Sequence, residues 1–151
     1  MLSIALVRLA LHMTNSEAYI AHQPAERQQL LTSLHQLITE CDITVAPVAE
    51  PMMGKEMIVY KHRGMMKYAL ASVKNYMSLH VLPMYGYAPL YEKYKVLLPQ
   101  AAFQKGCINF TGAGEIPLDI IKQLLTDCAS IDMVKIREAQ LAERKQKGAK
   151  K

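Results

Sequence analysis

The sequence contains no tryptophan, only two phenylalanines and only three cysteines among its 151 residues. Cys41, Cys107 and Cys128 are odd in number, far apart and without a C-x-x-C. That spacing excludes a disulfide framework and a zinc knuckle. The three read as buried thiols of a protein held in a reducing cytoplasm. No apolar run approaches the ~20 residues that a membrane-crossing helix needs, so no membrane partner is expected. Residues 1–12 are apolar, but Arg8 interrupts them. No basic region precedes that run and no small-residue cleavage site follows it, which excludes a secretory signal. They read as an N-terminal extension to a body that opens at Met13.

Catalytic signatures are missing as well. There is no Gly-x-Ser-x-Gly nucleophile turn and no His-Glu-x-x-His metal pair. Gly112-Ala113-Gly114 lacks the third glycine of a dinucleotide fingerprint, and no Gly-Lys-Ser/Thr follows it. It reads as a turn. No catalytic residue is assigned, and an enzyme is not the expected class.

What is present is enough apolar material for a core. Hydrophobic residues make up 51% and charged residues 21%, which excludes disorder of the whole chain. The length fits one domain. The formal charge of +5 is unevenly placed. Seven basic residues from Lys135 onward (Lys135, Arg137, Arg144, Lys145, Lys147, Lys150 and Lys151) face only Glu138 and Glu143, which accounts for all of it. The body is near neutral, so nucleic-acid binding is not expected except through this tail. The chain therefore divides into an extension (1–12), one domain (13–134) and a basic helix and tail (135–151).

Apolar periodicity places the elements. Asn15 or Ser16 caps a short helix that carries Tyr19 and Ile20. Pro24 opens a second helix, on which Leu30, Leu31, Leu34, Leu37, Ile38 and Cys41 fall on one face. Pro47 and Pro51 bound an irregular stretch. Three strands are predicted over 56–62, 66–73 and 76–82, joined at Arg63-Gly64 and Lys74-Asn75 as antiparallel hairpins. In the third, Met77, Leu79 and Val81 alternate with Tyr76, Ser78 and His80. A helix follows over 89–98, then a short strand over 106–110. Two more helices follow, the first from Pro117 with Ile121, Leu124, Leu125 and Cys128 inward, the second over 131–147. The class is α+β, a small antiparallel sheet of about four to five strands packed against N-terminal and C-terminal helices.

The candidate ligand-binding residues are Tyr60, His62, Tyr68, Tyr76 and His80, imidazoles and phenols that adjacent strands could gather on one sheet surface. Tyr85, Tyr87, Tyr91 and Tyr94 bracket a helix start and read as packing rather than as a stacking platform.

Several blocks also resemble a known family. Ser16 to Ala21, Pro24-Ala25-Glu26-Arg27 and Leu34 to Ile38 resemble the N-terminal signature of the YdhG-like domain. Val59-Tyr60 through Gly64, Tyr68, Ala71 and Ser78-Leu79-His80 continue the likeness, as do Phe103 to Phe110 and Ile116 to Ile121. It covers roughly residues 16–131. It implies a compact, frataxin-like two-layer arrangement and a non-enzymatic binding or chaperone role, with intracellular iron as the most specific cargo. Weakly bound iron would need carboxylates and an imidazole such as Glu17, His22, Glu26, Glu50 and Glu56, because a hard cation favours oxygen. Two departures weigh against iron. Lys55-Glu56-Met57-Ile58 stands where many members carry Tyr-Gly-Met-Pro, and the long helix lacks an acidic ridge. The alternative is a small-molecule or protein-interaction domain that uses the Tyr/His face of the sheet.

The segment from Gln146 to the end has almost no apolar side chain to anchor it. Deleting it is expected to leave the thermal unfolding midpoint unchanged; a lower midpoint in a calorimetric scan would show that the segment is docked.

Overall fold

The computed structural model describes residues 13–149. The extension assigned to residues 1–12 and the last two lysines lie outside the described residues. Helices α1 (Asn15–Ala21) and α2 (Ala25–Cys41) lead into strands β1 (Ala46–Met52), β2 (Lys55–His62), β3 (Met65–Ser72) and β4 (Met77–Val81). Helices α3 (Pro83–Gly86) and α4 (Ala88–Leu97) follow, then β5 (Ala102–Gln104), β6 (Cys107–Phe110), a 3-10 turn (Ala113–Glu115), α5 (Leu118–Ala129) and α6 (Met133–Ala149). The class is α+β, as the periodicity implies.

The sheet has six antiparallel strands in the order β1-β2-β3-β4-β6-β5, not four or five. The two unexpected strands have different causes. β5 has only three residues and carries no periodicity. β1 is the stretch bounded by Pro47 and Pro51, which reads as irregular because proline cannot donate to a ladder. Here it is an edge strand, and the N–H of Ala49, which lies between the two prolines and points the same way, donates outward to Asn15 Oδ1 at 3.4 Å. The prolines thus remove donors only from the outer edge, where they block a further strand from adding. The β1–β2 and β2–β3 links are two-residue turns, with Met53 and Gly54 and then Arg63 and Gly64 all at positive φ. That is the twist-matched hairpin geometry.

Thr14, not Asn15 or Ser16, caps α1. Its hydroxyl accepts from the Glu17 N–H at 3.1 Å, and the Glu17 carboxylate accepts in return from the Thr14 N–H at 3.4 Å. Tyr19 accepts from the Ser72 N–H at 2.9 Å, and the Arg27 guanidinium donates to Ser72 Oγ at 2.9 Å and to the Lys74 carbonyl at 3.2 Å. These bonds tie α1 and α2 to the β3–β4 turn.

One face of the sheet carries the main core. Ile58, Tyr60, Tyr68, Leu70, Met77, Leu79, Val81, Ile108 and Phe110 meet Leu30, Leu31, Leu34 and Ile38 of α2 and Ile121, Leu124, Leu125 and Cys128 of α5. The stripe of α2 and the alternation of β4 therefore converge, with Leu37 at the margin. The opposite face buries a smaller cluster, Met57, Val59, Ala69 and Ala71.

A bulge in β3 breaks the alternation. Tyr60 pairs with Tyr68 and Lys61 with Met66, so Lys67 is the extra residue. The bulge aims its side chain into the helix-covered layer, where it is 1% exposed. Its ammonium meets Asp42 Oδ2 at 2.7 Å, just past the end of α2. Tyr68 donates to the same oxygen at 2.8 Å, the Thr44 N–H donates to Oδ1 at 3.1 Å, and Lys67 reaches the Ala129 carbonyl of α5 at 3.5 Å. Burial alone would raise the Asp42 pKa, but donation from Lys67, Thr44 and Tyr68 outweighs it and holds the carboxyl below its ordinary value.

Two outcomes follow. Leu34→Ala is expected to cost about 2–5 kcal/mol in a denaturant melt, because Leu34 is fully buried between α2 and the sheet. Lys67→Met leaves the Asp42 carboxylate buried without its cation and is expected to cost about 3–5 kcal/mol, part of which Asp42→Asn restores in the double variant. The sign with pH follows from the depressed Asp42 pKa. Its contribution is present above the ordinary carboxylate range and is lost as the pH falls through the folded-state value, so the wild type loses more stability on acidification than the double variant.

Candidate functional site

The candidate sheet-face residues do not share a surface. Tyr60 and Tyr68 point into the helix-covered core and are fully buried. The Tyr60 hydroxyl lies 2.7 Å from His35 Nδ1, and Tyr68 serves Asp42. Burial raises both phenols far above their usual value and keeps them neutral. His80 lies on the other face, paired across the strands with Ala69 and Cys107. His62 ends β2 with Nδ1 3.8 Å from Asp132 Oδ1, and Tyr76 precedes β4, 37% exposed. Alternation along paired strands separates residues that lie close in sequence.

The candidate iron residues are scattered too. Glu17 is used by the α1 cap, His22 Nδ1 donates to the Ala18 carbonyl at 2.6 Å, and Glu50 pairs with Lys61 at 2.7 Å. Glu26 is exposed in the first turn of α2, and Glu56 is the second residue of β2, opposite Pro51. Among the described residues no three of His, Cys, Asp and Glu form a group that could hold a metal ion.

Among the described residues a larger concave feature lies elsewhere. A cleft of about 990 Å³ opens between α6 and the α3–α4 segment, within the size that small-molecule sites occupy. Pro83, Tyr85, Tyr87, Pro89 and Leu90 form one wall, and Ile131, Met133, Ile136 and Leu141 form the other. Proline helps shape the first wall: Pro83 starts α3 one residue after β4, Pro89 sits in the first turn of α4, and Tyr85 and Tyr87 between them are exposed. The second wall follows from helical spacing. On α6, Met133, Ile136, Arg137, Gln140, Leu141 and Arg144 recur every three or four residues and line the cleft together. No residue of α6 is buried, and Ile136 and Leu141 remain 40% and 46% exposed.

The charges at the cleft are unequal. Asp127 accepts from Lys93 Nζ at 2.8 Å and from the Tyr94 hydroxyl, and Lys93 above all holds its carboxyl below the usual range. Lys93 is thereby neutralised. Arg137 and Arg144 line the same cleft and make no ion pair among the described residues, whereas Arg63 pairs with Glu138 at 3.5 Å. The arrangement is an apolar trough with two unpaired guanidinium groups along one side.

Sequence reasoning assigns Tyr85 and Tyr87 to packing and Arg137 and Arg144 to a solvated tail. The usable signal was the repeat of apolar residues at 133, 136 and 141 within the basic helix. The thiols differ as well: Cys128 is buried, but Cys41 and Cys107 are half-exposed. Cys107 Sγ lies 3.0 Å from His80 Nδ1.

No protein family, curated protein or solved structure matches the chain. The fold and the cleft define it as an α+β domain with one amphipathic helix held off the body, and no helix among the described residues is long and apolar enough to cross a membrane.

Replacing Asp127 by Asn removes the carboxylate that accepts from both Lys93 and Tyr94. Because that carboxylate is partly exposed, the expected cost is small, about 1 kcal/mol or less. Chemical denaturation of the variant measures it, and a loss of several kcal/mol would show that Asp127 organises the cleft wall.

Proposed function

We propose that this protein is a non-enzymatic binding module that takes a small amphipathic molecule, with an apolar body and an acidic head, into the cleft between α6 and the α3–α4 segment. The observation that carries this reading is the pairing of apolar walls with two guanidinium groups that lack a protein partner among the described residues. Arginine binds a carboxylate through two parallel hydrogen bonds, and the surrounding apolar surface raises the value of that contact. The small-molecule alternative drawn from the sequence is thereby kept, but its site moves from the sheet face to the cleft. Membership of the YdhG-like family and a cytoplasmic location belong to the same proposal. The first rests on the sequence blocks, and the second on free thiols at Cys41, Cys107 and Cys128. Iron carriage has less support, since its candidate ligands are dispersed.

Dodecanoate is a suitable probe, titrated calorimetrically below its micellar range. Binding at one site with a dissociation constant of about micromolar order is expected. The double variant Arg137→Gln/Arg144→Gln is expected to weaken it about tenfold or more, some 1.4 kcal/mol, without change in the unfolding midpoint. Dodecanol, with the same chain and no charge, is expected to bind the two proteins alike. If dodecanoate does not bind, or binds the double variant equally well, the cleft is not a site for acidic amphiphiles.

A further inference from the structure

We propose that Cys107, His80 and Tyr85 form a nucleophilic thiol site that adds covalently to α,β-unsaturated carbonyl compounds. The three groups come from β6, β4 and α3, and the fold makes them converge. His80 and Cys107 are directly paired across the β4–β6 ladder, with Nδ1 and Sγ 3.0 Å apart. The Tyr85 hydroxyl approaches the same sulfur to 3.5 Å. Gly106 makes that approach possible. A Cβ there would stand 2.1 Å from the Tyr85 ring and 2.9 Å from the Val81 carbonyl oxygen, so only glycine lets the tyrosine lie against the β5–β6 turn. Cys107 and His80 are half-exposed, and Tyr85 also lines a hollow of about 360 Å³ together with Met84, Ala88, Tyr91 and Lys105.

The protonation states suit the chemistry. Burial lowers the His80 pKa and keeps the imidazole neutral at neutral pH; in the tautomer that carries its proton on Nε2, Nδ1 is the acceptor for the thiol proton. The Tyr85 pKa is pushed up to about 12, first by its contact with Cys107 and then by burial, so it remains a donor. A thiol beside a neutral imidazole is an activated nucleophile. In the addition, His80 takes the proton and Sγ bonds to the β-carbon. The electron pair of the carbon–carbon double bond moves through the conjugated system to the carbonyl oxygen, where Tyr85 donates to the developing enolate. The proton then passes from the imidazolium to the α-carbon. The product is a thioether, with no leaving group and no external oxidant or reductant. The reaction is a stoichiometric capture, and none of its steps uses Arg137 or Arg144, although Tyr85 also lines the cleft.

Cys41 provides an internal reference, since it is half-exposed like Cys107 and has no imidazole bonded to it among the described residues. The intact protein is treated separately with 2-cyclohexenone and with iodoacetamide at neutral pH, and labelling of each cysteine is followed by peptide mass spectrometry. Cys107 is expected to react at least about tenfold faster than Cys41 with both reagents. His80→Asn is expected to slow Cys107 about tenfold toward both. Tyr85→Phe keeps the ring and its packing, and is expected to slow cyclohexenone addition only, because displacement of iodide develops no enolate. Equal rates at Cys107 and Cys41, or a Cys107 rate unchanged by His80→Asn, would overturn the proposal. So would an equal effect of Tyr85→Phe on both reagents. Should His80→Asn fail to fold, the Tyr85→Phe comparison decides alone.

Discussion

The buried contact between Lys67 and Asp42 is the constraint around which the rest of the helix-covered layer is arranged. It joins a strand, the end of the first long helix and the end of α5 at one point. An ammonium and a carboxylate taken out of water are tolerated only when each finds partners, because their desolvation rivals their attraction. Here the partners come from every neighbouring element: Thr44 beyond α2, Tyr68 beside the bulge, and the Ala129 carbonyl. A polar cluster of this kind is satisfied in one arrangement only. It fixes how far α2 and α5 can slide over the sheet more tightly than a layer of interchangeable leucines would.

Beyond that contact, strand alternation divides the chemistry of the sheet. Tyr60 and Tyr68 are turned toward the helices, where their hydroxyls serve His35 and Asp42. His80 and Cys107 fall on the other face, beside Ser78 and Asn109, whose side chains bond each other at 2.7 Å. One face therefore uses its polar groups to satisfy the core, and the other keeps a thiol and an imidazole within reach of solvent. Tyr85 stands between the two regions of interest. It lines the cleft and also approaches Cys107, so the α3 turn that follows Pro83 serves both.

α6 is held differently from the other long helices. It buries no residue and touches the body mainly near the β2–β3 hairpin, where Arg63 meets Glu138 and Asp132 lies near His62. A helix with an apolar stripe gains by covering it, and here the stripe at 133, 136 and 141 faces a cleft rather than a packed neighbour. The basic charge of the C-terminal segment thereby gains a location. Part of it lies along an apolar trough, where guanidinium groups do more than they would on an open surface.

Much of this protein can be read from its sequence. The helical stripes of α2 and α5, the alternation in β4 and the Arg63-Gly64 turn are local patterns, and local patterns decide element type and which side is buried. The near-neutral body and basic end are likewise direct counts. The tertiary structure decided what depends on pairing. β1 looks irregular until it has a neighbour that needs no donor from its prolines. Lys67 looks like a solvated strand residue until one extra residue in β3 turns it inward. His80 and Cys107 lie 27 positions apart and became neighbours only when β6 crossed back to β4. Tyr60 and Tyr68 share a strand pair with residues on the opposite face, and only the register separates them. The cleft required α6 to stand beside the α3–α4 turn. That placement is set by contacts between residues far apart in the chain, and no periodicity along the chain encodes it.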